Sequence, residues 1–225
     1  MSKKKKILIC FTGIDGSGKT TIAKKVTKYL KEKGLPAVYV YGRFKPILTK
    51  PLMVIGGQMF LRNYNITKNY AEYSERKKCL FSKHKLMLRA YLYVLLLDCL
   101  FQLMVKVRIP LALGKAVVCD RYIYDTVITD IAIDMNFSEE RAISLLRKCF
   151  LLVPNPKIAF LVDVDEIIGY SRKDDIPDVR YLEERRVFYL QIADHYENIA
   201  VVNGNKNPDE VFEECRRLLD NELDI

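Results

Sequence analysis

Eight residues, Gly13-Ile14-Asp15-Gly16-Ser17-Gly18-Lys19-Thr20, fit the pattern G-x-x-x-x-G-K-[ST] and lie between two segments of different periodicity. Before them, Lys6 to Thr12 is a short apolar, β-rich run of the kind that forms a buried strand. After them, Lys19 to Lys33 carries apolar residues at helical spacing and closes on Gly34. Strand, glycine-rich loop and helix in this order leave the chain little freedom. The glycines let successive backbone N–H groups turn inward, and the helix N-terminus adds positive potential, so the loop becomes a nest for phosphate oxygens. Gly13, Asp15, Gly16, Ser17, Gly18, Lys19, Thr20 and Thr21 are therefore the candidate contacts to a nucleoside triphosphate, with Lys19 reaching the terminal phosphates and Thr20 a ligand for Mg²⁺.

Further short β-rich runs at Ala37 to Tyr41, Ala116 to Cys119, Ile158 to Val162 and Ile199 to Val202 alternate with helical patterns over Lys68 to Val107, Ser138 to Phe150, Val179 to Asn198 and Pro208 to Leu223. Alternation of this sort specifies an α/β fold, a parallel sheet covered on both faces, and 225 residues without a repeat or low-complexity linker suit one domain. Two segments are neither strand nor helix by pattern. Gly42 to Gln58 follows the second strand, at the end of a sheet where ligands bind; Arg172 to Arg180 is a polar connection whose composition suits equally a loop that closes over phosphate and a plain solvated loop.

The formal charge of +9 favours anionic partners without choosing among nucleotides, nucleic acid and acidic membranes. Residues 1 to 6, with Lys3 to Lys6, read as a solvated basic tail and not as a signal peptide or a nucleic-acid arm. Six scattered cysteines without C-x-x-C spacing imply reduced thiols and a cytoplasmic setting. The most apolar window, Ala90 to Val107, is interrupted by Asp98, Gln102 and Lys106 on one helical face, which reads as a buried helix with a polar stripe and not as a membrane span.

Ala116-Val117-Val118-Cys119-Asp120 is a buried strand ending in a carboxylate suited to hold Mg²⁺ opposite Thr20, and Arg121 follows where transferring phosphoryl charge would accumulate. GIDGSGKTT at Gly13 to Thr21, followed by Asp120-Arg121-Tyr122, resembles the thymidylate kinase family, and the resemblance continues through Val153 to Val164, Glu166, Arg172 and the helix beginning at Val179. It implies a P-loop sandwich of five parallel strands flanked by helices, ATP in the loop, and a monophosphate acceptor facing it across Asp15 and Arg121. It further implies that Arg43 meets the acceptor phosphate, that Asp98 and Asp125 lie on the acceptor side, that Arg172, or else Arg180, is the lid arginine, and that the protein is a homodimer.

Departures from the family cluster where a base would be read. The usual base-contacting arginine falls on Cys99 and its neighbour on Gln102, while Asp125, Thr129 and Asp130 replace residues expected to be a serine, a tyrosine and a polar side chain. The implied consequence is intact phosphate handling and a rewritten acceptor pocket, in which Asp125 or Asp130 receives hydrogen-bond donors. Two other readings keep the phosphate site: a kinase for a different small acceptor, and a nucleotide-dependent switch. Against a guanine-nucleotide switch, no Gly stands two residues after Asp120, and Asn205-Lys206-Asn207-Pro208 lacks the aspartate of a guanine-reading motif.

Overall fold

Five strands, Leu8–Thr12 (β1), Ala37–Tyr41 (β2), Ala116–Asp120 (β3), Ile158–Asp163 (β4) and Ile199–Asn203 (β5), form one all-parallel sheet in the order β2-β3-β1-β4-β5. The computed structural model describes residues 6–47, 49–51, 53–54 and 70–223. Residues 1–5 of the basic tail, and residues 48, 52 and 55–58 of the segment after β2, lie outside the described residues.

The helices are Lys19–Glu32 (α1), Tyr70–Lys83 (α2), Lys85–Leu103 (α3), Ile123–Asp125 (α4), Glu139–Phe150 (α5), Glu166–Ser171 (α6), Val179–Asp194 (α7) and Pro208–Leu223 (α8). α3 continues through a π-helical turn, Met104–Arg108, into Ile109–Ala112, and α4 continues as π-helical Thr126–Ala132. Capping follows the sequence: Ser138 accepts from Arg141 N ahead of α5, Asp165 from Ile167 N ahead of α6, and Asp178 from Arg180 N ahead of α7.

Each sheet face has its own core. α1 and α8 cover one face through Ile22, Val26, Leu30, Cys215 and Leu219; α3, α4, α5 and α7 cover the other through Leu95, Leu103, Ile123, Leu146 and Ile192. Burial on both faces is why the strands read as continuous apolar runs. From β1 the chain first crosses to β2 and β3 on one side and later reaches β4 and β5 on the other, so the carboxyl ends of β1 and β3 open onto a crevice. Phe11 pairs with Asp120 there, which sets the loop after β1 beside the Asp120-Arg121 pair.

α3 is arranged differently from the expected buried helix. Asp98 and Gln102 face inward, at 1% and 7% exposure, while Tyr93, Leu97 and Phe101 are 64% or more exposed. The stretch Leu88–Ala112 is long and apolar enough to cross a membrane by length and composition, yet its inward side is packed on the protein.

Candidate active site

The loop after β1 and the first turn of α1 form one wall of the crevice. Gly18 caps α1 in the left-handed conformation at φ 88°, no side chain caps the helix, and no acid stands in its first turn, so its positive end is not neutralised locally. The Lys19 ammonium is buried in the loop, donating to Ile14 O at 2.6 Å and lying 3.5 Å from Ser17 Oγ. Burial, and then the neighbouring Arg121, pull its pKa down to about 7. An anion in the nest would restore the charged form. Thr21 is exposed, with its amide bonded to Gly18 O.

Asp120 is fully buried at the end of β3. Its Oδ2 accepts from Thr20 Oγ1 at 2.6 Å and from the Tyr39 hydroxyl at 2.7 Å, while Oδ1 has no partner among the described residues. A buried carboxylate oxygen left without a donor is costly unless something positive meets it. With the Thr20 hydroxyl alongside, this is an all-oxygen pair suited to Mg²⁺, so the residues fit that cation.

Arg121 is held more tightly than any pattern in the sequence announces. Its φ of 68° is left-handed and unusual for a side-chain-bearing residue. The amide of Arg121 donates to Phe11 O at 2.8 Å, and its guanidinium lies between Asp15 and Asp125, the latter at 3.2 Å. Burial would raise the Asp15 pKa, but Arg121, with Lys19 and Arg43, outweighs it and holds the carboxyl below the usual range.

Asp125 departs from the expectation that it faces an acceptor. Its two oxygens accept from Thr12 Oγ1 at 3.0 Å, Arg121 at 3.2 Å, Tyr122 N at 2.9 Å and the Tyr189 hydroxyl at 2.8 Å. Four donors fill the acceptor capacity of one carboxylate. Asp125 anchors Arg121 and caps α4 in place of offering a free oxygen to a ligand.

Asp98 departs in the same way. One oxygen accepts from Ile47 N at 2.8 Å, Thr49 N at 3.2 Å and Thr49 Oγ1 at 3.2 Å, and the other from Gln102 Nε2 at 3.0 Å. Gln102 also exchanges hydrogen bonds with the backbone of Lys45, at 2.7 and 3.3 Å. Both residues therefore latch the loop after β2 onto α3. That loop carries Arg43, whose guanidinium lies 3.8 Å from Asp130. Gly42 permits its path, because a Cβ there would meet Arg121 O at 2.2 Å and no side chain could be accommodated.

Asp130 lies beside Arg43, with its side chain 27% exposed. Burial lifts its pKa to about 6 even against the pull of Arg43. Cys99 is buried with Sγ 3.6 Å from the Thr126 hydroxyl, and the Thr129 hydroxyl donates back to Asp125 O at 2.7 Å. Arg185 lines the same region. It stacks 3.5 Å over the Tyr181 ring and donates to the Tyr70 hydroxyl at 3.1 Å, and its Nε has no partner among the described residues.

The connection after α6 rests directly on the phosphate loop. A Cβ on Gly16 would meet Gly169 O at 2.1 Å, so the loop and α6 touch backbone to backbone. Arg172 follows and donates to Gly16 O at 3.3 Å and to Gly204 O at 3.4 Å. Arg180 is not brought to the loop by any described contact; it is exposed in the first turn of α7, with its amide capped by Asp178.

The structure thus gathers Asp15, Ser17, Lys19, Thr20, Asp120 and Arg121 around one crevice, with Arg172 on the loop's outer side and Arg43 across from it. Tyr39, Thr12 and Arg185 complete this region and carry no motif. The Tyr39 contact becomes visible only once β2 is known to pair with β3, setting Tyr39 two residues back from the register partner of Asp120.

Residues 5–47 match the family model for adenylylsulphate kinase, a stretch that covers the phosphate loop, α1 and β2. Over nearly the whole chain the similarity is to thymidylate kinases. The chain is 28% identical to thymidylate kinase of Leptospira borgpetersenii over 96% of its length and 94% of the relative's. It is 28% identical to a probable thymidylate kinase of Archaeoglobus fulgidus over 97% of each, and 27% identical to thymidylate kinase of Thermosipho melanesiensis over 97% of this chain and all of that one.

Proposed function

We propose that this chain, a divergent relative of the thymidylate kinases, transfers the γ-phosphoryl group of ATP to a nucleoside monophosphate. The observation that carries the reading is Arg121, fixed at a left-handed φ between Asp15 and Asp125 at the mouth of the phosphate loop. A loose phosphoryl-transfer transition state spreads charge over equatorial oxygens, and catalysis consists of positioning and neutralising that charge. Lys19 and the loop amides hold the donor phosphates. Arg121 and Arg43 approach from the acceptor side, and Arg172 is the lid cation nearest the loop. Thr20 and Asp120 would hold Mg²⁺, which neutralises phosphate charge when bound.

Acceptor-dependent ADP release, screened over nucleoside monophosphates and nucleosides, tests this reading. Release that rises with a monophosphate supports it. Slow hydrolysis indifferent to every acceptor would favour a nucleotide-dependent switch, and release driven only by a different phosphorylated metabolite would move the chain to another acceptor class.

A homodimer in a reducing, cytoplasmic setting belongs to the same proposal. The exposed stripe Tyr93, Leu97 and Phe101 on α3, continued by Val105 in the π-helical turn after it, offers a second copy an apolar face, and none of the six cysteines forms a disulfide among the described residues. Sedimentation of Leu97→Asp as monomer where wild type is dimer would support this use of the face; two dimers, or two monomers, would contradict it.

A further inference from the structure

Tyr39 stands at the phosphate wall with no part in the chemistry above. It lies on β2, an edge strand, and points to the same sheet face as α1. Its hydroxyl donates at 2.7 Å to Asp120 Oδ2, the oxygen that also takes the Thr20 hydroxyl at 2.6 Å. The Lys24 ammonium sits 5.8 Å over the ring and steadies it. A tyrosine kept only for packing needs no partner for its hydroxyl at a half-exposed edge.

We propose that Tyr39 is a positioning residue for the metal carboxylate: by joining Thr20 on Oδ2 of Asp120 it fixes the carboxylate's rotation and leaves Oδ1 for the divalent cation. This rests on the kinase reading and extends it to a residue outside every motif. Two donors on one oxygen and none on the other is an asymmetric arrangement, and the fully buried Oδ1 has no partner among the described residues. Hydrogen bonds of this kind orient a metal ligand before the metal arrives, and their removal weakens metal binding without removing a ligand.

The test is Mn²⁺ titration followed by electron paramagnetic resonance, on the full chain with a non-hydrolysable ATP analogue, for wild type, Tyr39→Phe and Asp120→Asn. Tyr39→Phe keeps the ring and its packing. Its Mn²⁺ affinity is expected to fall about tenfold, with analogue binding in EDTA and the melting temperature unchanged. If Asp120→Asn weakens Mn²⁺ while Tyr39→Phe stays within about twofold of wild type, the positioning role is wrong and the metal site stands. If Tyr39→Phe also loses analogue binding in EDTA, its role is structural and the proposal is overturned. If neither variant moves Mn²⁺, the metal reading of Thr20 and Asp120 falls first and takes this proposal with it.

Discussion

The two walls of the crevice are built by different rules. On the phosphate wall the working parts are backbone amides, one buried lysine, and a carboxylate with one oxygen left over, all of which recognise charge and geometry. On the acceptor wall, the polar side chains best placed to read a base are engaged by the protein itself. Asp98 and Gln102 hold the loop after β2, and Asp125 holds Arg121. On the kinase reading proposed above, reaction class and acceptor identity would sit on separate residues, and the second set could change while the first stays.

The sharpest way to break this contrast is on the phosphate wall. Lys19→Ala is expected to lower kcat/KM by about a hundredfold or more, the scale of losing one preorganised charge at a phosphoryl group, with the melting curve unchanged. Steady-state ADP release checks it, and activity above about a tenth of wild type would remove Lys19 from the chemistry.

On the acceptor wall the expected effect is smaller and of another kind. Asp98→Ala strands the buried amide of Thr49 and removes the acceptor of the exposed Ile47 amide, at a cost of about 1–3 kcal/mol, and frees the loop that carries Arg43. Urea unfolding should show the stability loss, and kinetics should show KM for the acceptor rising while KM for ATP holds. A parallel rise in both would mean that the two walls are not separable.

The smallest effect is a pH dependence at Asp130. The folded chain holds its proton up to about 6 against 3.8 for a free side chain, so between those values the folded state binds more protons than the unfolded one. Stability therefore falls as pH rises through that window and is level above it. Asp130→Asn should abolish this component and raise the urea midpoint above about pH 6, by an amount on the order of 1 kcal/mol given the partly exposed side chain. An unchanged difference between variant and wild type across the window would show that Asp130 is not held protonated.

Much of the phosphate wall was legible because its signals are local. The octapeptide lies where strand period gives way to helix period, and Ala37–Tyr41 and Pro208–Leu223 have the bounds their patterns imply. β3 runs one residue further than its apolar run, through Asp120 itself. The acceptor wall was not legible, because its bonds join residues distant in sequence. Asp98 and Gln102, four apart on an apolar helix, look like a polar stripe on a buried helix; their partners include backbone groups of residues 45–49, which no periodicity marks. Asp125 reads as a carboxylate in place of a serine, and nothing local shows that Thr12 and Tyr189 will close around it. The π-helical turns at Met104–Arg108 and Thr126–Ala132 likewise left no trace in a pattern of period 3.6.

The most direct test of the separation between the walls is kcat/KM for dTMP against dUMP, dCMP, UMP and CMP at fixed Mg²⁺ and salt. With Asp98, Gln102 and Asp125 engaged internally and Cys99 unable to replace a forked arginine donor, transfer should proceed with a dTMP preference below about a hundredfold. A larger preference for dTMP would show that other residues rebuild the thymine pocket, and that acceptor reading has been preserved along with phosphate handling.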